Sequence, residues 1–316
     1  MNYRNLGKTG LKVSELSLGS YVNFGDFLDD KASTKILREA FDQGVNFFDT
    51  ADNYSNGKAE ISLGKAVKGL PREAYLISSK VFFPTMQGVN GRGLSRKHIT
   101  ESIHASLKRL DLEYIDIYFC HRFDPDTAVE DVVQTMNILI KQGKILYWGT
   151  SMWEPYQIID AIRYANNANL IPPVVEQARY SMLTREEVEK ERLDICREQN
   201  LGLFTFSPLF MGVLSGAYNN GIPENSLLAH DDYAFRRGRL TPKVISKVKA
   251  LAQISMDLGL STAQLALAWL LRLPELTTVI TGASKMEHLK ENLSAINQGE
   301  KLTTEVLDRI DKILSD

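Results

Sequence analysis

Four side chains with complementary proton chemistry stand at the ends of three successive apolar runs. Phe47-Phe48-Asp49-Thr50-Ala51-Asp52-Asn53-Tyr54 supplies a carboxylate and, five residues on, a phenol. Ile77-Ser78-Ser79-Lys80 ends in an ammonium, and Ile115-Asp116-Ile117-Tyr118-Phe119-Cys120-His121 in an imidazole. Singly, each has an ordinary structural explanation: Asp caps a helix, Tyr fills a core, His satisfies a loop. Together they compose a proton-transfer site. Lys80 and Asp49 are expected to pair, because an isolated charge in a pocket is costly. The ammonium should then favour the phenolate of Tyr54 and lower its pKa from the reference of about 10, giving a usable general acid. His121 is expected to hydrogen-bond a substrate carbonyl or to share the proton.

Such a site needs a frame that brings three strand ends together. Short apolar runs alternate with longer amphipathic ones, the signature of strand-helix units on a parallel sheet. Strands are expected at 15–18, 45–48, 75–79, 115–119, 146–149, 174–177, 202–206 and 278–281. Between them, stripes such as Ile99, Ile103, Leu107 and Leu110 repeat at helical spacing. Gly44 and Gly143 sit where a left-handed residue ends a helix, and Thr127 with Glu130 and Ser261 with Gln264 have capping-box spacing. Eight such units predict one (β/α)8 TIM barrel domain over 1–316, with an N-terminal β-hairpin and a long loop, 209–239, between the seventh and eighth strands. In that fold the carboxyl ends of neighbouring strands, ~4.8 Å apart, face one pocket.

Composition bounds the partners. The 316 residues carry a formal net charge of -2, so nothing global favours nucleic acid or an anionic membrane. No stretch approaches the ~20 apolar residues of a membrane span, and no signal core opens the chain. The two cysteines, Cys120 and Cys196, lack metal-ligand spacing and fit a reducing compartment. A cytoplasmic protein acting on a small molecule is expected, without membrane insertion, and with a homo-oligomer left open. Five histidines with no cluster at strand ends argue against a metal-dependent hydrolase, so no metal is expected. No Gly-x-Gly-x-x-Gly follows the first strand, which disfavours a doubly wound dinucleotide fold.

The set Asp49, Tyr54, Lys80 and His121 resembles the tetrad of the aldo-keto reductases, and the similarity runs over nearly the whole chain. Within that superfamily the chain is most similar to the branch of voltage-gated potassium channel beta subunits and their bacterial relatives. Tyr3-Arg4-Asn5-Leu6-Gly7-Lys8, Gly93-Leu94-Ser95-Arg96-Lys97-His98-Ile99, Tyr147-Trp148-Gly149-Thr150-Ser151, Ile171-Pro172-Pro173, Glu176-Gln177-Ala178 and Gly282-Ala283-Ser284 carry the likeness. The resemblance implies NADPH extended across the barrel top, with Tyr54 giving a proton as hydride reaches an aldehyde or ketone. It implies further that Asp49, Ser20 and Tyr21 lie by the nicotinamide, and that Ser151 and Gln177 bond its carboxamide. Phe206 would stack on the ring, while Ser207, Leu209 and Gly212 would follow the pyrophosphate. Gly282, Ser284, Lys285, His288, Glu291 and Asn292 match the adenosine-phosphate motif.

The chain departs from that branch in several places. His121 replaces an asparagine, which favours a working reductase over a protein-binding subunit that senses cofactor state with slow turnover. Met152, Ala217 and Leu227 replace cations that touch the cofactor or close over it, and Lys285 and His288 are expected to offset part of that loss. NADPH is the expected cofactor, with NADH left open. Tyr21, Phe24, Phe82 and Phe83 read as an aromatic rim suited to a hydrophobic aldehyde. Arg122 is read two ways: it orients an acidic substrate, or it pairs with Asp124 or Asp126.

Overall fold

Alternation at period two sorts each strand into inward and outward side chains, and eight such strands leave no edge when they close on themselves. The computed structural model describes residues 1–315. An antiparallel hairpin, β1 (Tyr3–Asn5) and β2 (Lys12–Ser14), leads into β3 (Leu16–Gly19), β4 (Phe47–Asp49), β5 (Leu76–Val81) and β6 (Ile115–Cys120). There follow β7 (Ile145–Ser151), β8 (Val175–Arg179), β9 (Gly202–Phe206) and β10 (Leu276–Thr281). The last eight form a closed parallel barrel in the order β10-β3-β4-β5-β6-β7-β8-β9. The barrel expected from the sequence is therefore present.

The helices around it are α1 (Asp30–Asp42), α2 (Lys58–Val67), α3 (Arg96–Leu110), α4 (Val129–Lys141) and α5 (Pro155–Asn167). After these come α6 (Leu193–Gln199), α7 (Pro242–Asp257), α8 (Thr262–Leu271), α9 (Met286–Leu293) and α10 (Thr304–Ser315). Among the described residues no single helix is long and apolar enough to cross a membrane. Ser261 and Gln264 form the expected capping box. Thr127 and Glu130 do not: α4 is capped at Ala128, and the Thr127 hydroxyl donates instead to the Asp124 carboxylate at 2.8 Å. With Ala128 at the cap position, Thr127 stands one residue outside the helix, where its hydroxyl cannot serve the first free amides as a box requires. The second strand starts at Phe47 because the Val45 amide is still spent on Ala40 O, 2.9 Å away, closing the turn at left-handed Gly44.

Inside the barrel the bottom layer is apolar. Leu6 and Val13 from the hairpin pack with Phe47, Leu76, Ile117, Phe119, Val175, Phe204 and Ile280, so the hairpin plugs this end. Arg4 ties it down, donating to Leu273 O (2.5 Å), Leu276 O (2.6 Å) and Leu271 O (2.6 Å) and pairing with Glu15 at 2.8 Å. Counting upward by twos from this layer gives Asp49 above Phe47, Lys80 above Ser78 and Leu76, His121 above Phe119, Gln177 above Val175 and Phe206 above Phe204. The polar residues thus form the top layer of the same interior.

Packing in the apolar layer leaves no room at Gly149, where an added Cβ would lie 2.4 Å from Val175 Cγ1 and 2.5 Å from Val175 O. A backbone oxygen in a strand ladder cannot step aside. Gly149→Ala is expected to destabilise the fold by about 1–3 kcal/mol or more, measured as a lower urea midpoint with an unchanged m-value.

Candidate active site

The Lys80 ammonium is fully buried and lies 2.6 Å from Asp49 Oδ2, with a second bond to Thr50 O at 2.7 Å. Asp49 Oδ1 accepts from Ser78 Oγ at 2.7 Å and from Gln177 Nε2 at 3.0 Å. Three strands, β4, β5 and β8, thereby converge on one carboxylate. The Tyr54 hydroxyl stands 3.3 Å from Lys80 Nζ, in the turn after β4. His121 packs its ring edgewise on Tyr54, centroids 5.8 Å apart, and its Nδ1 is buried without a partner. The structure brings all four chemically suggestive residues together.

The residues expected around a nucleotide ring the same mouth. Ser20 and Ser151 follow β3 and end β7, each with a buried hydroxyl that has no partner. Phe206 ends β9, half-buried. The chain then turns through left-handed residues at Ser207 (φ 54), Phe210 (φ 49), Met211 (φ 60) and Gly212 (φ 84), with Leu209 among them. Across the barrel, Gly282, Ser284 and Lys285 form the exposed link between β10 and α9, and Ser284 Oγ lies 3.2 Å from His288 Nδ1. Asn292 donates back to Gly282 O at 3.2 Å, with Glu291 beside it.

The aldo/keto reductase family model matches residues 15–315. The chain belongs to the aldo/keto reductase family. Among curated relatives it is 45% identical to an Arabidopsis thaliana protein named "Probable voltage-gated potassium channel subunit beta", over 99% of this chain and 97% of that protein. A protein of the same name from Oryza sativa subsp. japonica is 44% identical over 99% and 97%. The "Putative voltage-gated potassium channel subunit beta" of Schizosaccharomyces pombe is 43% identical over 99% of this chain and 93% of its own length.

In this family member the acidity of the phenol departs from expectation. Tyr54 is pushed well above the usual tyrosine range, not below it. Loss of hydration is the largest cause, and the Asp49 carboxylate comes next. Lys80 fails to lower it because its charge is already matched by Asp49 at 2.6 Å. Burial pushes Lys80 itself down, against the pull of Asp49. His121 is held well below its ordinary pKa by burial, then by Lys80 and Arg122, so its imidazole is neutral.

The aromatic rim differs from the expected one. Phe24 is 1% exposed and joins the core between barrel and helices, because the turn after β3 closes on itself through a Phe24 N to Ser20 O bond of 3.0 Å. Phe83 does line the mouth, its ring 4.9 Å from that of His121. Tyr21 packs on Tyr54 at 4.8 Å and accepts from Arg236 Nη2 at 2.7 Å, which draws the long segment after β9 over the pocket. Arg122 pairs with neither Asp124 nor Asp126, since Asp124 is spent on Leu94 N (2.6 Å), Thr127 Oγ1 (2.8 Å) and Asp126 N (3.1 Å). Two contributors escaped sequence reading. Ser78 was signalled by its place two residues before Lys80 on the same strand face, whereas nothing local pointed Arg236 at Tyr21.

Behind Lys80 lies a further buried acid. Asp52 is 2% exposed, its amide bonded to Lys80 O at 3.3 Å and its carboxyl accepting from Ser102 at 2.6 Å. Burial raises its pKa from 3.8 to about 7 against the Ser102 bond. Between those values the folded chain keeps a proton that the unfolded chain has lost, so stability falls as pH rises through the window. Thermal melts from about pH 5 to about pH 8 should show this fall, and Asp52→Asn should shrink it. Some slope should remain, because Glu176, also pushed by burial to about 7, acts with the same sign.

Proposed function

We propose that this chain reduces aldehydes or ketones to alcohols with NADPH, through one barrel domain, with Tyr54 as the proton donor. The observation that carries the reading is the Tyr54 hydroxyl 3.3 Å from the Lys80 ammonium, beside a neutral His121. When bound, the nicotinamide supplies hydride to the carbonyl carbon. Tyr54, its pKa raised, keeps its proton at neutral pH until charge develops on the carbonyl oxygen. As the proton leaves, Lys80 stabilises the phenolate in a water-poor pocket where such a contact is strong. Asp49 holds Lys80 in place and keeps it from acidifying Tyr54 prematurely. His121, neutral, offers an N–H to the same oxygen and fixes the carbonyl in line.

The groups around the mouth suit the cofactor. The unpartnered hydroxyls of Ser20 and Ser151, together with Gln177, fit a carboxamide, and Phe206 offers a ring face. Left-handed turns such as Ser207 to Gly212 gather backbone N–H groups into anion-binding concavities, which fits a pyrophosphate. Lys285 and His288 are both exposed cations or potential cations of the kind that pairs with a 2′-phosphate, and this supports NADPH over NADH. Quenching of intrinsic fluorescence should give a lower Kd for NADPH than for NADH; equal catalytic efficiency with both would remove the preference.

The relatives' names, which make them channel subunits, favour a second reading: a protein-binding subunit. In that reading the redox site only senses the cofactor's state, with slow residual turnover. Brisk oxidation of bound NADPH by aldehydes separates the two. Tyr54→Phe should lower kcat by about 10²–10⁴-fold while NADPH binding stays intact, and His121→Asn should lower kcat more than cofactor affinity. Near-normal turnover in Tyr54→Phe would refute the assigned role.

A further inference from the structure

Four arginines surround the mouth: Arg122 after β6, Arg179 ending β8, and Arg236 and Arg239 on the segment after β9. Among the described residues none of the four has a carboxylate within salt-bridge reach, although the chain holds pairs of that kind elsewhere, such as Arg72–Asp116 and Arg109–Glu60. Burial, and then the positive charge of Arg179, hold Arg122 below its ordinary range against the pull of Tyr54 and of the more distant Glu176, and burial, Arg179 and Arg236 do the same to Arg239 against Tyr21. Like charges gathered without a carboxylate in contact are a cost to the fold, and one that a bound anion relieves.

Arg122 is the member of this group nearest the reacting atoms. It shares a strand end with His121 and donates from Nη1 to the His121 carbonyl. Its guanidinium lies 5.5 Å from the centroid of Phe83, whose ring packs at 4.9 Å on His121. A guanidinium has five N–H donors, and that single bond to His121 is the one Arg122 makes among the described residues. The carboxylates next to it in sequence do not pair with it: Asp124 closes its own turn, and Asp126 is exposed and forms no salt bridge among the described residues. By contrast, Arg236 and Arg239 reach Met211 Sδ, at 3.3 and 4.0 Å, beside the turn proposed for the pyrophosphate.

We propose that Arg122 receives a carboxylate on the carbonyl substrate, so that the pocket selects aldehydes or ketones bearing an acid group remote from the reacting carbonyl. The proposal rests on the reductase reading above. A planar guanidinium meets a carboxylate through two parallel bonds, and Phe83 and Tyr21 supply apolar wall for the body between the two ends. A neutral analogue of the same size leaves the guanidinium dehydrated and unpaired, so discrimination arises from that penalty as much as from the new bonds.

The test compares para-carboxybenzaldehyde with para-tolualdehyde, using NADPH-loaded wild type, Arg122→Met and Arg122→Lys. Wild type should prefer the acid by roughly tenfold or more in kcat/KM. Arg122→Met should lose most of that preference through a higher KM for the acid, Arg122→Lys should keep part of it, and NADPH affinity should hold. No preference in wild type, or an unchanged preference in Arg122→Met, overturns the proposal. So does weaker NADPH binding in Arg122→Met with the preference intact, which would assign Arg122 to a nucleotide phosphate. Calorimetric titration of para-carboxybenzyl alcohol into the same proteins, with NADP+ present, keeps the two readings apart. If neither aldehyde is turned over, the reductase reading fails, and the anion site stands or falls on whether Arg122→Met abolishes binding of this alcohol.

Discussion

An ammonium with no access to water has to be neutralised and hydrogen-bonded where it stands, and the Lys80–Asp49 contact of 2.6 Å does both. The requirement spreads outward. Asp49 needs its other oxygen satisfied, which Ser78 and Gln177 do from β5 and β8. Lys80 needs a second acceptor, which Thr50 O provides from β4. One buried charge therefore specifies the register of several strands at the top of the barrel. It does so only because the layer below is filled by Phe47, Phe119, Phe204 and their neighbours, which exclude water from beneath. Removing either partner would leave a bare charge in that dry interior, so the pair persists or the top layer loosens.

Much of this arrangement was legible in the linear chain. Period-two alternation carried the apolar residues to the barrel interior and, by the same count, placed Asp49, Lys80 and His121 on the inward face at the open end. Helix ends marked by Gly44, Gly143 and the Ser261–Gln264 box kept the units in phase. What depended on the path of a short turn, which neither period nor composition encodes, was not legible. Thr127 looked like a cap until the fold placed the Asp124 carboxylate within 2.8 Å. Phe24 looked like rim until the turn from Ser20 carried it into the core. The direction of the Tyr54 shift depends first on how completely the fold dehydrates the phenol, and only then on the Asp49 carboxylate, so pairing Lys80 with Asp49 on paper does not give its sign.

The floor and the rim of the pocket follow opposite electrostatic rules. On the floor, Lys80 is matched by Asp49, and His121 is held neutral, so little net charge lies beneath the substrate. At the rim, Arg122, Arg179, Arg236 and Arg239 bring positive charge together with no carboxylate within salt-bridge reach among the described residues. The first pattern is what proton transfer needs, since a bare cation below would strip Tyr54 of its proton before a substrate arrived. The second is what capture of anions needs, since an unmatched field at a concave mouth draws and holds negative groups. Placing the uncompensated charge where ligands would enter, and the compensated charge at the proposed site of chemistry, would let one pocket hold an anion without spoiling the acid that the proposed reduction requires. The cost falls on the segment after β9, whose Arg236 leans on Tyr21 for want of an ionic partner, so that segment is the part of the mouth most open to stabilisation by a bound anion.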